Sequence, residues 1–159
     1  MKIALQVHGA EDVSRELAAQ GTRLSQPAAP LLQAAGAMMQ TYFQTHLRNA
    51  EGPNGPWPEL MPETRAIRRH YGHGDTPKLV RAGDLLQSIT TLGQADTFVD
   101  VGTRLIYART VHDGGQVTDE NGRTRTVQAF PFVYLTEQEI GDITDAVIGY
   151  YFEGLPGVA

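Results

Sequence analysis

The chain has no cysteine. A disulfide framework, a thiolate metal site and a cysteine nucleophile are therefore excluded, and a reducing cytoplasm suits the sequence. No run of about 18 apolar residues is present, the length that a membrane-spanning helix requires. The first residues, Met1-Lys2-Ile3-Ala4-Leu5-Gln6-Val7, lack the apolar core of a cleaved signal. The expectation is a soluble protein, made in the cytoplasm, with no membrane partner. Catalytic signatures are missing as well: no Gly-x-Ser-x-Gly elbow, no Walker loop, no Gly-x-Gly-x-x-Gly after a strand and no His-Glu-x-x-His.

Positive charge is the scarcer sign. Lys and Arg number 13 against 18 Asp and Glu, a net charge of -5, which argues against a protein held to nucleic acid by phosphate neutralisation. No Lys or Arg follows Arg125, and Glu137, Glu139, Asp142, Asp145 and Glu153 leave the C-terminal segment acidic. Arg65, Arg68, Arg69, Lys78 and Arg81 instead lie close together, with His70 and His73 among them. Such runs are most often solvated faces. The sharper reading is that the two groups meet between neighbours in a homo-oligomer: the five cations on one side, Glu137, Asp142 and Asp145 on the other.

At 159 residues one domain is expected, able to bury about two-thirds of its unfolded surface. Ile3, Leu5 and Val7 alternate as in a half-buried strand, and Glu11 to Gln20 reads as a short helix ending at Gly21. From Pro27 onward, Leu31, Leu32, Ala35, Met38, Met39, Tyr42, Phe43 and Leu47 recur at three and four, the stripe of a long amphipathic helix that stops at Asn49. Residues 51–78 hold five of the nine prolines and read as a long ordered loop anchored by Trp57 and Tyr71; loops of this length are usually functional.

Gly83 to Ile89 predicts a short helix with Leu85, Leu86 and Ile89 inward, and Phe98 to Val101 a strand ending at Gly102. Spacing leaves Tyr107 to Val111 open between strand and helix. Asn121-Gly122, between Gln116-Val117 and Thr124-Arg125-Thr126-Val127, marks a hairpin. It carries so few apolar residues that it should project, as an arm over about 115–128 reaching an adjacent subunit. Thr136 with Glu139 forms a capping box, Leu135 with Ile140 a hydrophobic staple, and Ile140, Ile143, Val147 and Tyr150 or Tyr151 the stripe of a last helix ending near Gly154. The fold class is α+β: a small mixed or antiparallel sheet packed against the long helix and the C-terminal helix, with a projecting β-hairpin.

Two constellations offer chemistry, each beside a plainer reading. His70, His73 and Asp75, with His112 further on, could assemble a metal site for a small hydrolase; their spacing matches no established ligand motif, and ordinary loop histidines explain them as well. Ser88, His112 and Asp84 could form a triad, but Ser88 is more simply a cap or solvent residue. Trp57 reads as a core anchor and also as a residue type enriched at interface hot spots. Gly83 and Gly102 stand at element ends, where positive φ or a close backbone approach calls for glycine. No catalytic, metal or cofactor residue is assigned.

The order of pieces between Val80 and Gly115 is the most specific feature. Val80-Arg81-Ala82-Gly83-Asp84-Leu85-Leu86-Gln87-Ser88-Ile89 is followed by Val101-Gly102-Thr103, Tyr107-Ala108 and His112-Asp113-Gly114-Gly115. Upstream stands Trp57-Pro58-Glu59-Leu60, then Thr64. Together they resemble the virion morphogenesis family of tailed phages over roughly residues 30 to 150, with Gly83, Leu85, Ser88, Ile89, Gly102, Tyr107, Ala108 and His112 in the family's places.

The chain departs from that pattern twice. It has His112-Asp113-Gly114-Gly115 for His-Gln-Phe/Tyr-Gly, and Ala129-Phe130-Pro131-Phe132-Val133 for Ala-Arg-Pro-Phe-Leu. Phe130 thus stands in place of a charge. The resemblance implies a short helix through Tyr107, Ala108 and His112, with Tyr107 and His112 buried by their rings.

It further implies a structural subunit of the virion neck that completes or terminates the tail and joins it to the head. Such a subunit would form a homo-oligomeric ring, hexameric in relatives, between the tail tube protein and the head-tail connector or stopper, with DNA passing through unbound. A head-side connector is the alternative. Candidate fold or interface residues are Trp57, Gly83, Leu85, Ser88, Gly102, Tyr107, His112, Phe130 and Pro131.

Overall fold

The computed structural model describes residues 15, 18, 19, 21, 22, 28–74, 78, 79, 83–95, 97–118 and 120–152, and of 151 and 152 the backbone alone. The strand expected over Ile3 to Val7 and the helix end near Gly154 lie outside the described residues. Arg15, Ala18, Ala19, Gly21 and Thr22 are helical, so the helix expected to stop at Gly21 continues past it.

Helix α1 (Ala29–Asn49) is the spine. Its inward residues Leu31, Ala35, Phe43, His46 and Leu47 follow the three-and-four spacing that puts side chains on one helical face. Pro30 starts the helix where a missing N–H costs nothing. Ala50 ends it in the left-handed conformation, φ 57°, with its N–H on the His46 carbonyl. The chain then makes a minimal ladder of β1 (Glu51–Gly52) and β2 (Gly55–Pro56).

The loop reading of residues 51–78 is corrected by helix α2 (Pro62–His70). No apolar stripe betrays this helix, because only Arg68 of its residues is buried. It is marked instead by Pro62 in its first turn, Glu63 beside it, and Arg68, Arg69 and His70 at the end where the dipole favours cations. Tyr71 is 64% exposed, which leaves Trp57 as the anchor of this segment.

Gly83, at φ 86°, sits at the N-cap of α3 (Asp84–Ser88), with Leu85 and Ile89 buried as expected. Strand β3 (Thr90–Ala95), which the sequence reading missed, pairs antiparallel with β4 (Phe98–Gly102) through an irregularity between Thr91 and Gly93. Val99 and Val101 are half-buried while Phe98 and Asp100 are exposed, so one face of the ladder lies on α1.

The ambiguity at Tyr107 to Val111 resolves as helix α4 (Ala108–Asp113). The hairpin follows as β5 (Gly115–Thr118) paired with β6 (Thr124–Val127), and all of its described side chains are exposed except Val127. Helix α5 (Glu137–Phe152) closes the described chain against α1. The capping box forms: the Glu139 N–H donates to Thr136 Oγ1 at 3.2 Å and the Thr136 N–H to Glu139 Oε2 at 2.8 Å.

The molecule is thus mixed α and β, its described strands in three separate two-stranded antiparallel ladders. Its core gathers Phe43 and Leu47 of α1 with Trp57, Leu60, Leu85, Ile89, Ala108, Phe130 and Phe132. No described helix is long and apolar enough to cross a membrane.

Candidate assembly site

The segment from Gln128 to Thr136, between β6 and α5, has no regular secondary structure, so its backbone polar groups need partners from elsewhere. Three aromatic rings supply them. Trp57 Nε1 donates to the Pro131 carbonyl at 2.9 Å. His112 Nδ1 accepts the N–H of Phe132 at 3.2 Å and that of Val133 at 3.4 Å, which requires that nitrogen to be unprotonated. His46 Nδ1 lies 3.4 Å from the Phe132 carbonyl oxygen. A further bond, between backbone groups, runs from the Phe130 N–H to the Val111 carbonyl at 2.9 Å. The segment is a strap laid across the core by alternate residues, with Phe130 and Phe132 buried and Pro131 between them.

His46 joins the strap to α5. Its Nε2 is 2.9 Å from Glu139 Oε1, and Tyr134 stacks on its ring, centroids 4.0 Å apart. Burial pushes the Glu139 carboxyl up. The Thr136 N–H and hydroxyl and the His46 ring outweigh that and hold it below the ordinary carboxylate value. Burial, and then the charges of Glu139 and Glu51, raise the Tyr134 hydroxyl.

Neither His46 nor Tyr134 was foreseen as a site residue. The available signal was a histidine inside the apolar row Phe43, His46, Leu47 of α1.

The structure brings Trp57, His112, Phe130 and Pro131 together. Trp57, 4% exposed, meets Phe130 edge-on at 5.5 Å, and His112 meets Phe132 edge-on at 5.2 Å. Phe130 therefore fills the core at the place where a charge was expected. Ser88 belongs to another part of the fold: its hydroxyl donates to the Leu85 carbonyl at 2.7 Å and meets Thr103 Oγ1 at 2.7 Å. Ser88 and His112 each use their polar atoms on separate partners, so no triad forms. Gly102 is buried at the end of β4.

Tyr107 corrects an expectation. At 47% exposed it points outward from the start of α4, and Ala108 takes the buried place.

The basic group does not form one outward face. Arg68 is 7% exposed; its Nε donates to the Gly74 carbonyl at 2.7 Å and its Nη1 to the Lys78 carbonyl at 2.6 Å. A buried guanidinium holding its own backbone is not offered to a neighbour, which corrects the surface reading of Arg68. Lys78 Nζ donates to the Trp57 carbonyl at 2.6 Å. Arg65 donates to the Leu60 carbonyl at 2.9 Å and pairs with Glu59 at 3.0 Å. Arg69 is exposed, and Arg81 lies outside the described residues.

On α5, Glu137, Asp142 and Asp145 are exposed, and Asp142 accepts the Tyr42 hydroxyl at 3.1 Å. Among the described residues no three His, Asp or Glu side chains gather as metal ligands. Asp75 falls outside them. His70 packs edge-on against Tyr71.

A cleft of about 850 Å³ opens beside the strap, between α2 and β6, with Leu60, Met61, Ile67, Leu79, Val127 and Phe130 among its lining. These features can hold polypeptide and carry load between elements. They present no nucleophile activated by a base.

The model of the phage virion morphogenesis family matches residues 6–150. No curated protein and no solved structure matches the chain.

Proposed function

The chain belongs to the phage virion morphogenesis family, and from that premise we propose that it completes the phage tail and joins it to the head, as a homo-oligomeric ring of six copies at the neck. Its role is in building the virion, and its family is a structural one. The proposed neighbours are the tail tube protein on one side and the head-tail connector or stopper on the other. DNA would pass through a subunit whose net charge of -5 neutralises few phosphates.

The observation that carries this reading is where apolar surface stays uncovered. No described side chain of α5 is buried, and Ile140, Ile148 and Tyr150 remain 50, 45 and 42% exposed. On a different element Ile106 is 98% exposed beside Tyr107. Apolar patches on separate elements suit a subunit with several protein neighbours, and a head-to-tail ring needs two different contact surfaces on each copy.

Deleting the gene from its phage and viewing the lysate by negative-stain electron microscopy tests the proposal. Filled heads beside free tails of abnormal length are expected. Tails of normal length beside heads that have lost their DNA would put the chain on the head side instead. Intact, infectious particles would overturn the reading.

A further inference from the structure

Among the described residues, strands β5 and β6 pair with each other alone, so each has one bonded edge and one edge that no described strand covers. Along β6 the open edge borders the cleft. Five consecutive residues, Thr124 to Gln128, line it and no residue of β5 does, which puts the cleft on the side of β6 away from β5. The opposite wall is α2 with its N-cap, where Met61 and Ile67, 39 and 50% exposed, stand beside Glu63 and Thr64. A strand edge facing a partly apolar helix wall can take up an added strand. No proline or bulge guards the arm, although natural proteins usually protect such edges.

We propose that the added strand is β5 of a second copy, so that the arms of neighbouring subunits join edge to edge around the ring, β6 of one against β5 of the next. This rests on the ring reading above and names the contact that closes it. The two strands match in length, four residues each. β5 brings backbone N–H groups, and Val117, 41% exposed, to set against Met61 and Ile67.

Symmetry agrees with the pairing. Rotation about a ring axis keeps the sense of strands running along that axis, so β6 of one copy is antiparallel to β5 of the next, as it is to its own β5. Closure also removes every open edge but the loop ends.

The absence of cysteine makes the test clean. Phage lacking the gene is complemented by two plasmid-borne copies, one carrying Val117→Cys and the other Thr124→Cys, Arg125→Cys or Thr126→Cys. Purified particles are oxidised and their proteins separated without reductant. With one cysteine per chain, no disulfide forms within a copy, and a band at twice the chain's mass that contains this chain alone is a disulfide between copies.

A dimer is expected in at least one mixture and in none of the single variants. Dimers from a β6 variant alone would mean β6 pairs with β6, and would overturn the proposal. Joined particles that contain the chain but yield no mixed dimer would overturn the edge pairing while leaving the ring reading intact. Joined particles without the chain would overturn both.

Discussion

Trp57 donates its indole N–H to the carbonyl oxygen of Pro131 at 2.9 Å, across 74 positions of sequence. This bond fastens the segment after α1 to the strap before α5, and the Lys78 ammonium bonds the Trp57 carbonyl from behind. Trp57→Phe keeps a ring against Phe130 but leaves the half-buried Pro131 carbonyl without its donor, which costs about 1 kcal/mol. Trp57→Ala also opens a cavity, for a total of about 3–5 kcal/mol. Denaturant melts of the purified chain check both values, and a Phe variant as stable as the parent would show the bond to be incidental.

His112 acts on the same strap by accepting two backbone N–H groups at one nitrogen. Leucine at this position removes the acceptor and should cost about 1–3 kcal/mol. Asparagine, whose side-chain oxygen also accepts, should recover part of the loss. Equal stability of the Leu and Asn variants would contradict the acceptor role.

Glu139 links the capping box to His46, and its lowered carboxyl sets the acid response. A carboxylate held below its unfolded value contributes stability above that value, which is lost as pH falls through the folded one. Stability should therefore drop on the acid side of the ordinary carboxyl range. Glu139→Gln should be less stable at neutral pH and flatter across that acid range, whereas Thr136→Ala costs about 1 kcal/mol through the lost cap. Thermal melts from neutral pH downward measure each, and an unchanged acid slope in the Gln variant would refute the assignment.

Gly114 ends α4 at φ 71° and ψ -169°, a conformation nearly confined to glycine. A Cβ there would lie 2.8 Å from the Ala129 nitrogen and 3.0 Å from the Val127 carbonyl oxygen, both backbone atoms that cannot turn aside. Gly114→Ala should cost about 1–3 kcal/mol from conformation alone, and more from the contact. Gly141→Ala, with nothing within 4 Å of its Cβ in the interior of α5, should stabilise by up to about 1 kcal/mol. Parallel melts that rank the two variants the other way would contradict this geometry.

The features legible in the sequence are those whose cause lies within a turn or two of chain. Periodicity gave α1 its buried face, Thr136 and Glu139 are three residues apart and form their box locally, and Asn121-Gly122 selects its hairpin by backbone preference. The family pattern added α4, which spacing left open. Strand β3 escaped because Thr90-Thr91-Leu92-Gly93-Gln94-Ala95 has little alternation and a bulge in the middle. Helix α2 escaped because a helix that buries a single arginine draws no apolar stripe.

The sequence by itself therefore determined α1, the capping box and the hairpin, the want of disulfide chemistry and the sign of the net charge, since each follows from residue type or short spacing. Only the tertiary structure decided that His46 reaches Phe132, 86 positions away, that Arg68 turns inward, that Tyr107 turns outward and that β6 and α2 line one cleft. Those outcomes depend on which distant backbone groups are left needing partners once the core closes, and no local spacing encodes that requirement.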